Sequence, residues 1–281
     1  MIKYTKMHGC GNDYVYVDCI NGKTPADPSA LSVGISDRHK GVGGDGLVLI
    51  CPSDKADAFM HMYNADGSEG KMCGNAIRCV GKYLYDEGIA KKEFIDIETL
   101  SGVKRLKMII KDGKAAGARV DMGAAVFDCR SIPADRDGEC VGEKVKVAGG
   151  EYEVSLVSMG NPHCVVFCGD PDALELEKTG PLFERDPLFP EGVNTEFVKK
   201  TGDNRLRMRV WERGSGETLA CGTGACAAVS AAVRLGYFGE GQPVTVSLRG
   251  GELIIEYTKE TVFMTGEAVR VSDGVYYGDT E

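Results

Sequence analysis

The stretch NADGSEGKMCGNAIRC, residues 64–79, has a counterpart in WERGSGETLACGTGAC, residues 211–226. Each passes through small and acidic residues to a Cys-Gly step, and the two cysteines, Cys73 and Cys221, lie 148 residues apart. Both steps open a segment with helical spacing of small and apolar residues, so each cysteine is expected where a turn enters a helix. This repetition predicts a chain built from two related halves.

The repetition extends to both sides of these stretches. Asn12 lies 33 residues before Asp45, and Asn161 lies 33 residues before Asn194. The matched positions are Gly11-Asn12 with Gly160-Asn161, Asp45 with Asn194, Asn64 with Glu212, Cys73-Gly74 with Cys221-Gly222, and Gly88 with Gly236. An ordered set of this kind favours internal duplication. The alternative is that strand–turn–helix units simply recur at similar lengths.

Each predicted half is rich in strands and contains one long helix. Helices are predicted over 74–86 and 222–235, each ending near a glycine that suits a C-terminal cap. The second should be buried on every side, because GTGACAAVSAAVRL is nearly all small and apolar. Strands are predicted over 14–18, 47–51, 58–63, 94–99, 103–110, 153–158, 164–168, 195–199, 206–211, 244–248 and 252–257.

We therefore expect an α/β (α+β) fold of two pseudo-symmetric halves, each a barrel-like sheet around a central helix. The first half gives way to the second around residues 120–128. Duplicated halves place matching elements about a pseudo-twofold axis, so the active site is expected in the cleft between them.

The composition of the 281-residue chain is that of a soluble globular protein, with 43% hydrophobic and 27% charged residues. The formal net charge is −9 and basic residues are not clustered, so no nucleic-acid partner is expected. No apolar run approaches the roughly 20 residues that span a bilayer. The N-terminal MIKYTKMHGCGNDY also lacks the apolar core of a signal peptide. These features predict a cytoplasmic protein without a membrane partner.

The 11 cysteines are expected to persist as thiols, because cytosolic reductants oppose stable disulfides. No CxxC pair is present, and the four histidines are scattered at positions 8, 39, 61 and 163. The nearest approach to a ligand set is His163-Cys164 with Cys168, and no second cluster accompanies it. No metal site is predicted.

Cys73 and Cys221 have the expected placement of acid–base groups. Free N–H groups and the positive end of the dipole at a helix start lower a thiol pKa from about 8.5 toward neutrality, and the same amides can hold a carboxylate. Inverting a carbon centre by proton transfer requires a base on one face and an acid on the other, and a thiolate with a thiol supplies both. The alternative is that both cysteines are small buried core residues.

Several motifs resemble those of the diaminopimelate epimerase family. They are KMHGCGNDY (6–14), NADGSE (64–69), MCGNAIRC (72–79), GNPHCVVF (160–167), GVNTEF (192–197), ERGSGETLACGTGAC (212–226) and MTGEAVRV (264–271). The resemblance implies a cofactor-independent isomerase that interconverts LL- and meso-diaminopimelate in lysine and peptidoglycan-precursor biosynthesis, and a cytoplasmic homodimer. It also implies that the C-terminal tail returns to the first half. The halves are then 1–120 with 266–281, which carries Cys73, and 121–265, which carries Cys221.

The resemblance implies a role for each matching residue. Cys73 and Cys221 are the base and the acid, with His163 and Glu212 supporting the thiols. The residues implied to hold the distal amino-acid centre of the substrate are Asn12, Asn64, Asn161, Asn194, Glu212 and Arg213. Those implied to contact the reacting centre are Gly74, Asn75, Gly222 and Thr223. One position departs from many family members, which have GxDQ where this chain has GGDG (43–46), so Gly46 supplies no side-chain contact.

Two other functions stay open on the sequence alone. A proline or hydroxyproline racemase would share the architecture. That family, however, has histidine after the first Cys-Gly and an aspartate-led approach to the second, where this chain has Asn75 and ERGSGET (212–218). A thiol redox protein would instead join Cys73 and Cys221 in a switching disulfide. Turnover of diaminopimelate without any added cofactor separates these possibilities.

Overall fold

The computed structural model describes residues 1–278, which divide into two compact units. The first unit comprises Met1–Val120 together with the chain from Thr265 onward, and the second comprises Asp121–Met264. No helix in this described part of the chain is long and apolar enough to cross a membrane.

The first unit is built mainly from strands. Its helices are α1 (Pro28–Ser36) and α2 (Gly74–Asp86). Its strands are β1 (Ile2–Gly9), β2 (Asn12–Asp18), β3 (Gly46–Cys51), β4 (Ala58–Asn64), β5 (Glu69–Gly70), β6 (Phe94–Thr99), β7 (Gly102–Lys111) and β8 (Lys114–Asp121), with β18 (Val269–Tyr276) from the end of the chain. Strand β18 pairs antiparallel with β1.

The second unit has a similar composition of elements. Its helices are α3 (Leu176–Glu184) and α4 (Gly222–Arg234), with short 3₁₀ turns at Cys129–Ser131 and Pro171–Ala173. Its strands are β9 (Glu143–Val147), β10 (Gly150–Ser158), β11 (Pro162–Phe167), β12 (Asn194–Gly202), β13 (Arg205–Glu212), β14 (Gly216–Glu217), β15 (Pro243–Ser247) and β16 (Glu252–Tyr257). Strand β17 (Val262–Glu267) crosses the boundary at Thr265.

The strands of both units pair in the same chain-ordered pattern. In the first unit β1–β2 is antiparallel, β2–β3 parallel, β3–β4 and β4–β5 antiparallel, β4–β6 parallel and β6–β7 antiparallel. In the second unit β10–β11 is antiparallel, β11–β12 parallel, β12–β13 and β13–β14 antiparallel, β13–β15 parallel and β15–β16 antiparallel. This repeated topology confirms the prediction of two pseudo-symmetric halves.

One long helix packs against the strands of each unit. Helix α2 contacts β1, β2, β6 and β7, and α4 contacts β10, β11, β12, β15 and β16. The small residues of α4 are buried almost without interruption from Gly222 to Ala232, as its composition predicted. Each helix is followed by a glycine with positive φ, Gly88 (75°) and Gly236 (79°), a conformation that glycine adopts without the steric cost of a Cβ.

The predicted strands and helices are all present within a few residues of their expected ends, and several further elements were not predicted. Asp27 caps the N-terminus of helix α1, where its side chain accepts a hydrogen bond from the Ala30 amide, and α3 contains Pro181. The flanking strands β1, β8, β9, β17 and β18 were also missed. These elements have weak local signals, and tertiary pairing determines their conformation.

Candidate active site

Cys73 lies at the N-terminal end of α2, where its backbone is extended and its carbonyl accepts the hydrogen bond of Ile77 N at 3.0 Å. The Cys73 thiol donates to Asn12 Oδ1 at 3.4 Å. Asn75 Nδ2, from the first turn of the helix, donates to the same oxygen at 3.4 Å. Three of the predicted residues of the first unit are therefore in mutual contact.

A network of charged side chains holds the side chain of Asn12 in position. Asn12 Nδ2 donates to Asp45 Oδ2 at 2.7 Å, and Arg38 bridges Asp45 (2.9 Å) and Asp13 (2.7 Å). Lys6 also pairs with Asp13 at 2.6 Å. Although burial opposes it, hydrogen bonding to Arg38 and Lys6 lowers the pKa of Asp13 below its usual range. Asp45 was visible in the sequence as the match of Asn194, whereas Arg38 had no such signal.

Asn64 lies at the end of β4 and is exposed, with its Nδ2 donating to Ser68 Oγ at 2.9 Å. It pairs across the sheet with Gly46, where many family members have glutamine. A Cβ at Gly46 would lie 2.1 Å from the Tyr63 carbonyl oxygen. A side chain at this position would therefore require the backbone to shift.

Arg78 is a fully buried cation in α2 that sequence reasoning missed. Its guanidinium donates to the Gly74 carbonyl at 2.9 Å and to Asn75 Oδ1 at 3.0 Å, and Nε donates to the Glu267 carbonyl at 3.1 Å. Because Gly74 and Asn75 form the first turn after Cys73, Arg78 holds that turn in place. No local pattern marked it, because its neighbours on the same helix face include the polar Asn75 and Lys82.

Cys221 occupies the matching position in the second unit. It caps α4 in an extended conformation, and its carbonyl accepts from Ala225 N at 3.0 Å. Its sulfur accepts from Gly224 N at 3.4 Å and lies 3.5 Å from Thr223 Oγ1. Asn161 Nδ2 donates to Thr223 Oγ1 at 3.3 Å.

Hydrogen bonds link the same three positions in each unit, although the sulfur contacts Asn12 in the first unit and Thr223 in the second. A cysteine caps the helix, an asparagine lies where the second strand of the repeat begins, and the residue two positions after the cysteine bonds to that asparagine. These sets are Cys73, Asn12 and Asn75, and Cys221, Asn161 and Thr223. The duplication therefore extends from topology to side-chain contacts.

The second unit differs from the first in its acidic groups. Glu212 accepts a short hydrogen bond from Thr218. Burial raises the pKa of Glu212 above its usual range, and hydrogen bonds from Thr218 and Cys221 only partly offset this. Asn64, a neutral residue, occupies the matching position in the first unit.

The pKa of Cys221 is shifted in the direction opposite to the prediction. Burial first, and then the Glu212 and Glu196 carboxylates, raise the pKa of Cys221 well above its usual range, whereas hydrogen bonds from Thr223 and Gly224 oppose the rise. The expectation that the helix start lowers this pKa toward neutrality is therefore wrong for Cys221. Removal of the thiol from water outweighs the helix N-terminus.

We expect Cys221 to react with iodoacetamide very slowly at pH 7 and to react faster as the pH rises beyond about 8.5, where an ordinary thiol ionises. The unfolded chain loses this proton at lower pH than the folded one, so this group should also make stability fall as the pH rises above about 8.5. Mass spectrometry of the alkylated peptide checks the first point. Rapid labelling of Cys221 at neutral pH would contradict it.

His163 and Glu196 form a buried pair beside Asn161. Both side chains are fully buried, with His163 Nδ1 2.7 Å from Glu196 Oε1 and His163 Nε2 3.0 Å from Asn161 Oδ1. His163 was predicted as a site residue, but Glu196 was missed. The signal in the sequence is a single charged residue inside the otherwise uncharged strand segment NTEFV.

Asn194 and Arg213 are linked to each other but not directly to the cysteine. Asn194 Oδ1 accepts from Arg213 N at 2.9 Å, and Asn194 Nδ2 donates to the Pro162 carbonyl at 2.8 Å. The exposed Arg213 side chain donates to the Glu191 carbonyl at 2.8 Å. Asn194 thus ties the Arg213 loop to the start of β11.

All eleven cysteines are free thiols. Among residues 1–278, no group of three or more His, Cys, Asp or Glu side chains is arranged to hold a metal ion.

The repeated topology is a fold that also occurs in solved structures of low sequence identity. Hydroxyproline epimerase from Agrobacterium vitis aligns with a TM-score of 0.70 at 17% identity, over 99% of this chain and 93% of that one. A PhzF-family phenazine biosynthesis protein from Bacillus anthracis aligns with a TM-score of 0.71 at 14% identity, over 97% of this chain and 98% of that one. Both proteins thus share the fold of this chain.

The sequence comparisons are more specific. The family model of diaminopimelate epimerase matches residues 4–127 and 155–271. Diaminopimelate epimerases from Acetivibrio thermocellus and Methanococcus maripaludis are 51% and 49% identical over 276 residues, which cover 97% of this chain and 98% and 99% of those proteins. The chain belongs to the diaminopimelate epimerase family. The resemblance is confirmed, whereas the likeness to hydroxyproline epimerase concerns the fold alone.

Proposed function

We propose that this protein interconverts LL- and meso-diaminopimelate without a cofactor, using Cys73 and Cys221 as its two acid–base groups. The observation that carries the proposal is the matching contact set around a helix-capping cysteine in each unit of a chain of this family. Two equivalent thiols are what a reaction on both faces of one carbon requires.

The chemistry follows from the helix starts. One thiolate removes the α-proton, and negative charge develops on the substrate's α-carboxylate. First-turn amides at Gly74-Asn75 and Gly222-Thr223 stabilise that charge, because they lack intrahelical acceptors and lie at positive dipole ends. The other thiol then delivers a proton to the opposite face, which inverts the centre.

The pKa of Cys221 indicates its role in the resting protein. The raised pKa of Cys221 keeps it a neutral thiol, which is the proton donor. In this state Cys73 must therefore supply the base. In the reverse direction Cys221 acts as the thiolate, and hydrogen bonds from Gly224 N–H and Thr223 then stabilise it.

The polar residues divide between the two ends of the substrate. Asn12 and Asn161 contact Cys73 and Thr223, so we assign them to the reacting centre rather than to the distal one. The second amino-acid centre carries an ammonium and a carboxylate. We assign it to Asn64, Asn194, Glu212 and Arg213, with His163 and Glu212 supporting the thiols.

We expect Arg213→Ala to raise KM by about ten- to a hundredfold and to change kcat little, because a guanidinium can pair with the distal carboxylate through two hydrogen bonds. Steady-state kinetics in both directions measure this. Arg185, the exposed residue after α3, offers a matched control as Arg185→Ala. An unchanged KM for Arg213→Ala would show that Arg213 stabilises its own loop and does not bind the substrate.

The test of the function is incubation of the purified protein with LL-diaminopimelate in D2O. The expected result is inversion of one centre with one deuterium incorporated at that α-carbon, in the presence of excess dithiothreitol and of hydroxylamine. Dithiothreitol would abolish the action of a switching disulfide, and hydroxylamine would trap a carbonyl cofactor. Absence of inversion, or loss of inversion with either reagent, would reject the proposal. Proline as the substrate tests the racemase alternative.

We also propose the predicted division into halves, 1–120 with 266–281 and 121–265, and a cytoplasmic homodimer that binds neither nucleic acid nor membranes. The net charge of −9 supports the absence of a nucleic-acid partner. Light scattering of the purified protein tests the dimer.

A further inference from the structure

Glu196 is a buried carboxyl group of the second unit that the proposed function does not use. It lies in β12 with 0% of its surface exposed, whereas the matching strand β3 of the first unit is GLVLIC. A carboxylate that loses its hydration inside an apolar sheet is expected only where its partners compensate. Its Oε2 atom has no hydrogen-bond partner among the described residues, so the contacts of Oε1 must provide the compensation.

A continuous chain of side-chain hydrogen bonds joins Glu196 to the Cys221 sulfur. Glu196 Oε1 lies 2.7 Å from His163 Nδ1, and His163 Nε2 lies 3.0 Å from Asn161 Oδ1. Asn161 Nδ2 donates to Thr223 Oγ1 at 3.3 Å, and Thr223 Oγ1 lies 3.5 Å from Cys221 Sγ. Two of these links, Glu196 to His163 and Asn161 to Thr223, join residues that are far apart in the sequence, so the chain exists only in the folded unit.

The chemistry of the end groups sets the direction of the chain. A carboxylate and an amide oxygen can only accept hydrogen bonds. His163 Nε2 faces the Asn161 oxygen, which can only accept, so Nε2 donates to it while Nδ1 faces Glu196. Asn161 then presents its NH2 group to Thr223, and the Thr223 hydroxyl is left to donate its own proton to the sulfur.

We propose that Glu196 is a positioning residue that orients this chain, so that the Cys221 sulfur receives a hydrogen bond when it acts as a base. This inference rests on the proposed role of Cys221. Without the carboxylate, Nε2 of His163 can become an acceptor, and the Asn161 amide can turn its NH2 toward the ring. The Thr223 hydroxyl then donates to the Asn161 oxygen instead of to the sulfur.

A second effect of Glu196 has the opposite sign. Glu196 repels a negative charge on Cys221 through space, and so does Glu212 from β13. The other ionisable groups that face Glu196 are His163 and Cys164 from β11. Repulsion alone predicts that removing the Glu196 charge makes Cys221 easier to ionise. The hydrogen-bond chain predicts that it becomes harder, so the two explanations are distinguishable.

The test is Glu196→Gln, which keeps the shape of the side chain and removes its charge. Below the ionisation midpoint, the rate of alkylation by iodoacetamide follows the thiolate fraction. Measured at pH 8 on the tryptic peptide 214–234 of the full-length protein, Cys221 should react about tenfold more slowly in the variant. An unchanged or faster reaction overturns the proposal.

Two further variants locate the effect. Thr223→Val removes the last link but keeps the Glu196 charge, so it should slow alkylation at least as much as Glu196→Gln does. The double variant should be no slower than Thr223→Val alone. Thr195→Val is the matched control, because Thr195 is buried next to Glu196 in the same strand and its hydroxyl has no partner among the described residues. It should leave the alkylation rate unchanged. Additive effects of the first two substitutions, or an equal effect of the control, would contradict the proposal.

A measurement on the unmodified protein covers the case in which Glu196→Gln fails to fold. Nitrogen-15 NMR of labelled histidines should show a proton on His163 Nε2, with the assignment taken from His163→Asn. A His163 ring without a proton on Nε2 overturns the inference. Failure of the unmodified protein to invert diaminopimelate would instead reject the proposed function and leave these thiol and imidazole measurements valid.

Discussion

Replacing either Cys73 or Cys221 by alanine is expected to lower epimerisation by about 10³- to 10⁴-fold or more, because each thiol transfers a proton on one face that the other cannot reach. The two variants should also differ in isotope exchange. A single remaining thiol can remove and return a proton on its own face, so each variant should exchange the α-hydrogen of at most one of the two stereoisomers.

Each helix contains a matched control for this experiment. Cys79 in α2 and Cys226 in α4 are fully buried thiols that follow the reacting cysteines within the same helix. Cys79→Ala and Cys226→Ala should retain turnover and should lose only about 1 kcal/mol of stability. Chiral chromatography and proton NMR in D2O measure inversion and exchange separately. Substantial inversion by either Cys73→Ala or Cys221→Ala would reject the two-base mechanism.

Glu212→Gln is expected to lower kcat by about 10²- to 10³-fold without lowering stability. Glu212 contacts both Thr218 and Cys221, so its loss should alter proton transfer at the thiol. Its raised pKa means that the folded protein binds this proton more tightly than the unfolded chain does. Stability from this group therefore falls as the pH rises above about 4.3, and removing the charge at pH 7 removes that penalty.

Glu217 provides the reciprocal control five residues along the chain. It pairs with Arg209 at 2.8 Å and with Arg249 at 3.0 Å, and hydrogen bonding to Arg209 lowers its pKa. Its contribution to stability is present above about pH 4.3 and is lost as the pH falls. Glu217→Gln should therefore cost about 1 kcal/mol of stability and leave kcat unchanged. Thermal unfolding and steady-state kinetics of the two variants compare these effects, and normal turnover by Glu212→Gln would refute its role.

Local patterns predicted much of the fold. The two Cys-Gly helix starts, the glycine caps and the apolar strands depend on backbone preferences and on spacing along the chain, and these are properties of short segments. The flanking strand β1 and the helix α3 were missed because their segments, IKYTKMHG and LEKTGPLFE, have mixed polarity or an internal proline. Packing against strands that are distant in sequence determines their conformation.

The sequence by itself determined the duplication, the two helix-capping cysteines and the family. Matched residue types at a constant spacing can be read directly from the order of residues. The start of a helix depends mainly on residues that are near it in the chain. Only the tertiary structure decided that Cys221 is a neutral thiol, that Glu196 pairs with His163, and that a side chain at Gly46 would require the backbone to shift. Loss of hydration, electrostatic repulsion and close backbone approach all depend on groups that folding brings together from separate strands, so no local pattern contains them.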